Sequence, residues 1–161
     1  MTKLRKLTAL LLAGALTLLL LTACSGGGGS SGPEAQAEAK VMGAIRSNSS
    51  TKSLEYDVEM CNIANDELAK TNLDTELKGS IGGYGVYHKV NIDSRNSTLT
   101  LIAQYDYQNT KLEDLIGCIT QNNEASNLNF NHSSNWAKVG VAAKTHKGKT
   151  YIAITLQVKR T

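Results

Sequence analysis

Fifteen residues from Leu7 to Leu21, nearly all apolar, follow the basic Lys3, Arg5 and Lys6 and run into Leu21-Thr22-Ala23-Cys24. A basic start, an apolar middle and a small-residue end is the order of a secretory signal peptide. The run is also shorter than the roughly 20 residues a spanning helix needs. Residues 1–23 are therefore expected to stand outside the folded unit. Directly after Cys24 comes Ser25-Gly26-Gly27-Gly28-Gly29-Ser30-Ser31-Gly32-Pro33. Glycine and serine bury no apolar area, so residues 24–33 read as a flexible tether spanning about 17 Å. What remains to fold is a single domain over residues 34–161, long enough for one core.

Losing the leader changes the charge. The whole chain holds 17 Lys and Arg against 14 Asp and Glu, and Lys3, Arg5 and Lys6 are the whole of that excess. A mature chain near neutrality lacks the basic surface that displaces counterions from phosphates, so no nucleic-acid partner is expected. The charge is unevenly placed. Nine acidic residues lie between Glu34 and Glu76, none follows Glu124, and Lys138, Lys144, Lys147, Lys149, Lys159 and Arg160 make the end of the chain basic. Such a run either faces an anionic membrane or blocks pairing at a sheet edge, and edge-blocking is the commoner cause.

The four residues Leu21-Thr22-Ala23-Cys24 resemble the lipobox of bacterial lipoproteins. The resemblance implies a diacylated Cys24 as the first mature residue, with residues 1–23 removed. It implies attachment on the extracytoplasmic face of the cell membrane, or on an outer membrane where the cell has one. Two acyl chains hold stably where one is marginal. Cys61 and Cys118 are then left. An exported pair can bridge, but both lie in apolar helical patterns, where a free thiol serves as a small hydrophobe; a disulfide and two buried thiols both remain open. No CxxC or Cys/His spacing points to zinc, and no cofactor is expected.

Within the domain, Glu34 to Ser47 is rich in Ala and Glu, with Val41, Met42 and Ile45 on one stripe, and reads as a helix. Met60, Ile63, Ala64 and Leu68 recur at helical spacing between Asp57 and about Thr71, with Asp57 placed to cap that helix. Residues 72–98 resist assignment: Gly79, Gly82, Gly83 and Gly85 break a helix, while Tyr84, Val86, Val90 and Ile92 alternate as a strand does. Thr98 to Tyr105 is apolar and β-branched enough for a strand. Thr110-Lys111-Leu112-Glu113 is a capping box that opens a helix to about Asn122. Trp136–Ala143 and Lys149–Val158 flank Thr145-His146-Lys147-Gly148 as a hairpin, with Ile152, Ile154, Leu156 and Val158 on one face. Helices first and antiparallel strands last imply an α+β domain.

Leu54-Glu55-Tyr56-Asp57 with Met60 and Ala64, the segment Leu112 to Leu128, and Asn129 to Leu156 with Val139-Gly140-Val141 and Lys149-Thr150-Tyr151-Ile152 are similar to the CAP superfamily (cysteine-rich secretory proteins, antigen 5 and pathogenesis-related proteins). The resemblance covers about half of the mature domain. It implies a three-layer α-β-α sandwich ending in the antiparallel hairpin, with a groove that in many members holds two histidines and two acidic residues. Counting back from Leu128 puts Glu124 at the second histidine, and His88 stands in for the first. The family's Ser-Pro-Gly is Gln121-Asn122-Asn123 here, and Thr100 falls where an acid is usual.

The other candidates are few. His88 reads as a half-exposed strand residue, and His132 and His146 as solvent-exposed loop residues. No HExxH spacing or GxSxG elbow is present. Tyr105 and Tyr107 share a strand face beside Asp106, as an aromatic binding surface or as core tyrosines. The reading that follows is a membrane-anchored binding module with a degenerate CAP-type groove, whose ligand is a protein, a glycan or an amphipathic molecule. The alternatives are a CAP-type metal-dependent hydrolase using His88 and Glu124, and a subunit of a cell-envelope complex.

Overall fold

The computed structural model describes residues 32–81, 84–92, 97–106, 112, 115 and 136–158. Among them are two helices, α1 (Pro33–Ser47) and α2 (Val58–Lys70), and six strands: β1 (Glu55–Tyr56), β2 (Gly79–Ile81), β3 (Tyr84–Ile92), β4 (Ser97–Tyr105), β5 (Trp136–His146) and β6 (Lys149–Val158). The leader, Cys24, the tether to Ser31, Tyr107, Cys118, Glu124 and His132 lie outside the described residues. All six strands form one mixed sheet in the order β1-β5-β6-β4-β3-β2. Every pairing is antiparallel except β1 with β5, where Tyr56 sits opposite Val139.

Strand alternation sorts the core into two layers. Leu99, Leu101, Ala103 and Tyr105 of β4, Ile152, Ile154, Leu156 and Val158 of β6, and Val139, Val141 and Ala143 of β5 face Ala37, Val41, Met42 and Ile45 of α1. On the opposite face Ile102, Ala142, Tyr151 and Ala153 meet Ala64, Leu68 and Leu73. The domain is thus mixed α and β, with a helix on each side of the sheet. The expected stripe of β6 is where it should be, but Tyr151, Ala153 and Thr155 between its members are buried too. Covering both faces explains why β6 reads as a nearly continuous apolar run.

Helix α1 matches the expected bounds to within a residue, with Pro33 in its first turn, where the missing N–H costs nothing. Asp57 caps α2 as its sequence position requires, its Oδ1 accepting from the N–H of Glu59 at 2.8 Å and of Met60 at 3.2 Å. Leu112 and Leu115, both from the capping-box segment, are helical and pack into the α1-side core. The unassigned stretch 72–98 resolves into a turn after α2, then β2, β3 and the start of β4.

Two glycines of the β5–β6 hairpin are required where they stand. Gly140 of β5 lies directly beneath its first turn, where a Cβ would overlap Cys61 N and Met60 C. The hairpin closes through Lys147 (φ 49) and Gly148 (φ 76), the two positive φ values that a tight two-residue turn of matching twist requires.

Candidate functional site

The described residues expected to carry chemistry, His88, Tyr105 and His146, stand on three different strands. His88 stands on β3 opposite Leu101, on the face that carries α1, and is half-buried. Its proposed partner Glu124 lies outside the described residues. Tyr105 is a core tyrosine, 5 % exposed, and burial raises its hydroxyl pKa. It offers no aromatic surface, and Tyr107 is outside the described residues. His146 corrects the expectation of a free turn histidine. It is half-buried, its Nε2 is 3.3 Å from Asp74 Oδ2, and its ring meets Tyr151 edge-on at 6.3 Å.

Asp74 is the centre of a small cluster at the hairpin turn. Lys147 Nζ donates to its Oδ2 at 2.6 Å, and Lys147 and His146 together hold its carboxyl below the usual aspartate range. This pins the β5–β6 turn to the segment after α2. Lys147 occupies a left-handed position that lysine seldom takes; the reach to Asp74 gives that residue a reason to be there.

A second pair marks the opposite end of β5. Lys138 Nζ donates to Asp57 Oδ2 at 2.6 Å, and this hydrogen bond lowers the Asp57 pKa and raises that of Lys138. Because the folded value lies below the usual 3.8, the stability it contributes is complete above that pH and is lost as pH falls through the folded value. Asp57→Ala is expected to cost about 1 kcal/mol through the lost cap. Asp57→Asn keeps the cap and is expected to flatten only the acid limb of stability against pH. Urea unfolding at several pH values separates the two.

Polar groups also line the α2 face of the sheet. Lys89 Nζ donates to both oxygens of Glu67 at 2.9 and 3.1 Å, and the hydroxyls of Thr100 and Thr155 lie 2.9 Å apart. Thr100 is therefore 3 % exposed and spent on a hydroxyl partner inside the sheet.

The densest grouping lies along the outer edge of β5. Ala143 N–H donates to Glu38 Oε1 at 2.9 Å and Thr145 N–H to Glu34 Oε1 at 2.5 Å. Nearer the start of the strand, Asp57 N–H donates to the Val139 carbonyl at 3.0 Å. One helix thus supplies carboxylates, four residues apart, to strand N–H groups two residues apart. Desolvation raises the Glu38 pKa, the Ala143 N–H opposing it. Tyr56 is raised by desolvation and then by Glu38. Its hydroxyl lies 3.2 Å from Cys61 Sγ, and Cys61 is disulfide-bonded. A bridged sulfur offers no thiolate, so this grouping does not supply a nucleophile. What it does is occupy an edge that would otherwise template strand addition.

Sequence reasoning missed Glu34, Glu38 and Asp74. The i, i+4 carboxylates on an otherwise Ala-rich helix were the visible signal for the first two. Among the described residues no three His, Cys, Asp or Glu are grouped to hold a metal ion. No helix among them is long and apolar enough to cross a membrane. No family model matches the chain, and no match is found among curated proteins or solved structures.

Proposed function

We propose that the chain is a lipid-anchored, extracytoplasmic binding module, held outside a membrane through Cys24 and presenting its domain to a protein, a glycan or an amphipathic ligand. The observation that carries this reading is the disulfide at Cys61. Structural disulfides persist in oxidising compartments and are rare where cytosolic reductants act. A bridge inside the domain and a signal-peptide-like leader ending in a cysteine call for the same destination. With Cys24 taken by lipid, Cys118 is the sulfur left to pair with Cys61.

The finer fold reading goes with it. A helix on each side of the sheet and a closing β5–β6 hairpin support a divergent CAP-like sandwich. The Thr100–Thr155 contact supports a degenerate version of the family's groove, because one of the expected acidic positions is filled by a buried threonine. Binding without catalysis is the function such a groove retains.

The test is capture from envelope extracts with the full lipidated chain as bait and an unrelated lipoprotein as control. Reproducible enrichment of one protein or glycan over the control is the expected result. Failure to enrich anything, in extracts made with mild and with stringent detergents, contradicts the binding-module reading.

A further inference from the structure

The two edges of the sheet are closed to different extents. On the β5 side, β1, the Asp57 N–H, Glu38 and Glu34 engage the strand at points from Lys138 to Thr145. On the β3 side the cover is short. β3 runs nine residues, Tyr84–Ile92, but β2 pairs only with Tyr84, Gly85 and Val86. Among the described residues, no strand pairs with the outer edge of β3 from Tyr87 to Ile92. An edge left this way presents alternate backbone N–H and C=O groups, and so is a template for another strand.

The devices that ordinarily blunt an edge are not in play on this stretch. β3 pairs with β4 residue for residue from Val86 to Ile92, with no bulge to twist it away. The chain's one proline is Pro33, in α1. Lys89 is the residue placed to guard the edge, but its Nζ is turned onto α2, where it donates to both oxygens of Glu67. Val90 is half-buried and packs against the α1-side core. Strand alternation puts Lys89 and the exposed Asn91 on the opposite face.

We infer that the outer edge of β3 pairs antiparallel with the same edge of a second copy of this chain, joining two six-stranded sheets into one. The residues of the edge argue for that occupant. A two-fold axis normal to the sheet sets side chains of the same face opposite each other, so the register centres on one residue. Centred on Val90, it pairs His88–Ile92 of both copies and ends each β3 two residues short of Val86, where β2 takes over. Val90 then meets its own copy, a β-branched pair of the kind antiparallel strands favour, and Lys89 meets the partner's Asn91. A register centred on Lys89 sets two ammonium groups opposite each other, and one centred on Asn91 pairs only the last three residues of each strand. Pairing uses both edges, so assembly closes at two copies. The interface is one short strand from each copy, which makes the dimer weak and transient. The inference goes beyond the binding-module reading and does not depend on the anchor.

The experiment is sedimentation equilibrium of the full chain in excess density-matched neutral detergent, with amide hydrogen exchange on the same samples. Concentrations run to about 1 mM, enough to populate a dimer with a dissociation constant of that order. A monomer–dimer equilibrium is expected, and the outward-facing amides of Tyr87–Ile92 should exchange more slowly as the chain is concentrated. Asn91→Lys sets like charges opposite each other twice, by symmetry, and is expected to weaken the dimer about 5-fold. Asn91→Glu faces the partner's Lys89 and is expected to tighten it by a similar factor. Asn91 is exposed, so both variants should melt as the parent does at low concentration. A chain that stays monomeric throughout overturns the inference. So does protection of every amide from Tyr87 to Ile92 at high dilution, which means the chain's own residues cover that edge. A dimer indifferent to the charge at residue 91 is formed elsewhere and also overturns it. None of these outcomes bears on lipid at Cys24 or on capture of a ligand.

Discussion

Replacing Gly140 by alanine is expected to cost about 3 kcal/mol, the upper part of the range for overpacking a filled core. The added methyl would meet the backbone of Met60 and Cys61, not a side chain that could turn aside. Relief requires the whole of α2 to lift, which also opens the packing of Ala64 and Leu68 on Ile102 and Ala153. A melting temperature lower by roughly 10 °C is the expected reading for a domain of this size. Gly43→Ala is the control: that glycine is exposed in mid-helix with open space around it, and alanine there should stabilise by about 0.5–1 kcal/mol. An unchanged melting point for Gly140→Ala contradicts the seating of α2 on β5.

Loss of the disulfide is the second large effect. Cys61 is 1 % exposed beside the Gly140 contact, where α2 begins. Pairing with Cys118 would close a loop of nearly sixty residues, and the chain-entropy relation gives about 4 kcal/mol for a loop of that length. Cys61→Ala is expected to lower the urea midpoint strongly. Reductant should lower the parent to a similar level and leave the variant unmoved. A parent indifferent to reductant contradicts the bridge.

Much of the fold was legible where one residue's chemistry decides local structure. Asp57 announces the start of α2 because a short acceptor before an apolar stripe satisfies the free N–H groups. Ile152, Ile154, Leu156 and Val158 mark β6 because alternate residues share a face. The region 72–98 was opaque because β3 carries polar His88 on the face of Val86 and Val90 and aromatic Tyr87 on the face of Lys89 and Asn91, which weakens the alternation. β1 is two residues long, too short for any periodicity, yet it supplies the one parallel pairing among the described residues. Gly140 could have been noticed: an isolated glycine between Val139 and Val141 in a strand often marks a close backbone approach.

The candidate site was less legible because its contacts are distant in sequence. His146 looks free until the fold brings Asp74 to it from 72 residues away. Glu34 and Glu38 look like solvated helix residues until β5 arrives beside them, more than 100 residues later. The lysines of the hairpin looked like edge guards because sequence does not show that the edge is already occupied. Residue type was readable in each case, whereas the partner is set by topology.

Intact-mass measurement of the mature chain extracted from membranes, with and without thiol alkylation before reduction, is the most direct test of export and anchoring. The predicted mass begins at Cys24, carries a diacylglycerol on that residue, and takes up no alkyl group on Cys61 or Cys118 until reductant is added. A chain that still carries residues 1–23, or that begins at Cys24 without lipid, contradicts the anchor. Alkylation of two thiols without reductant contradicts the bridge on which the extracytoplasmic assignment rests.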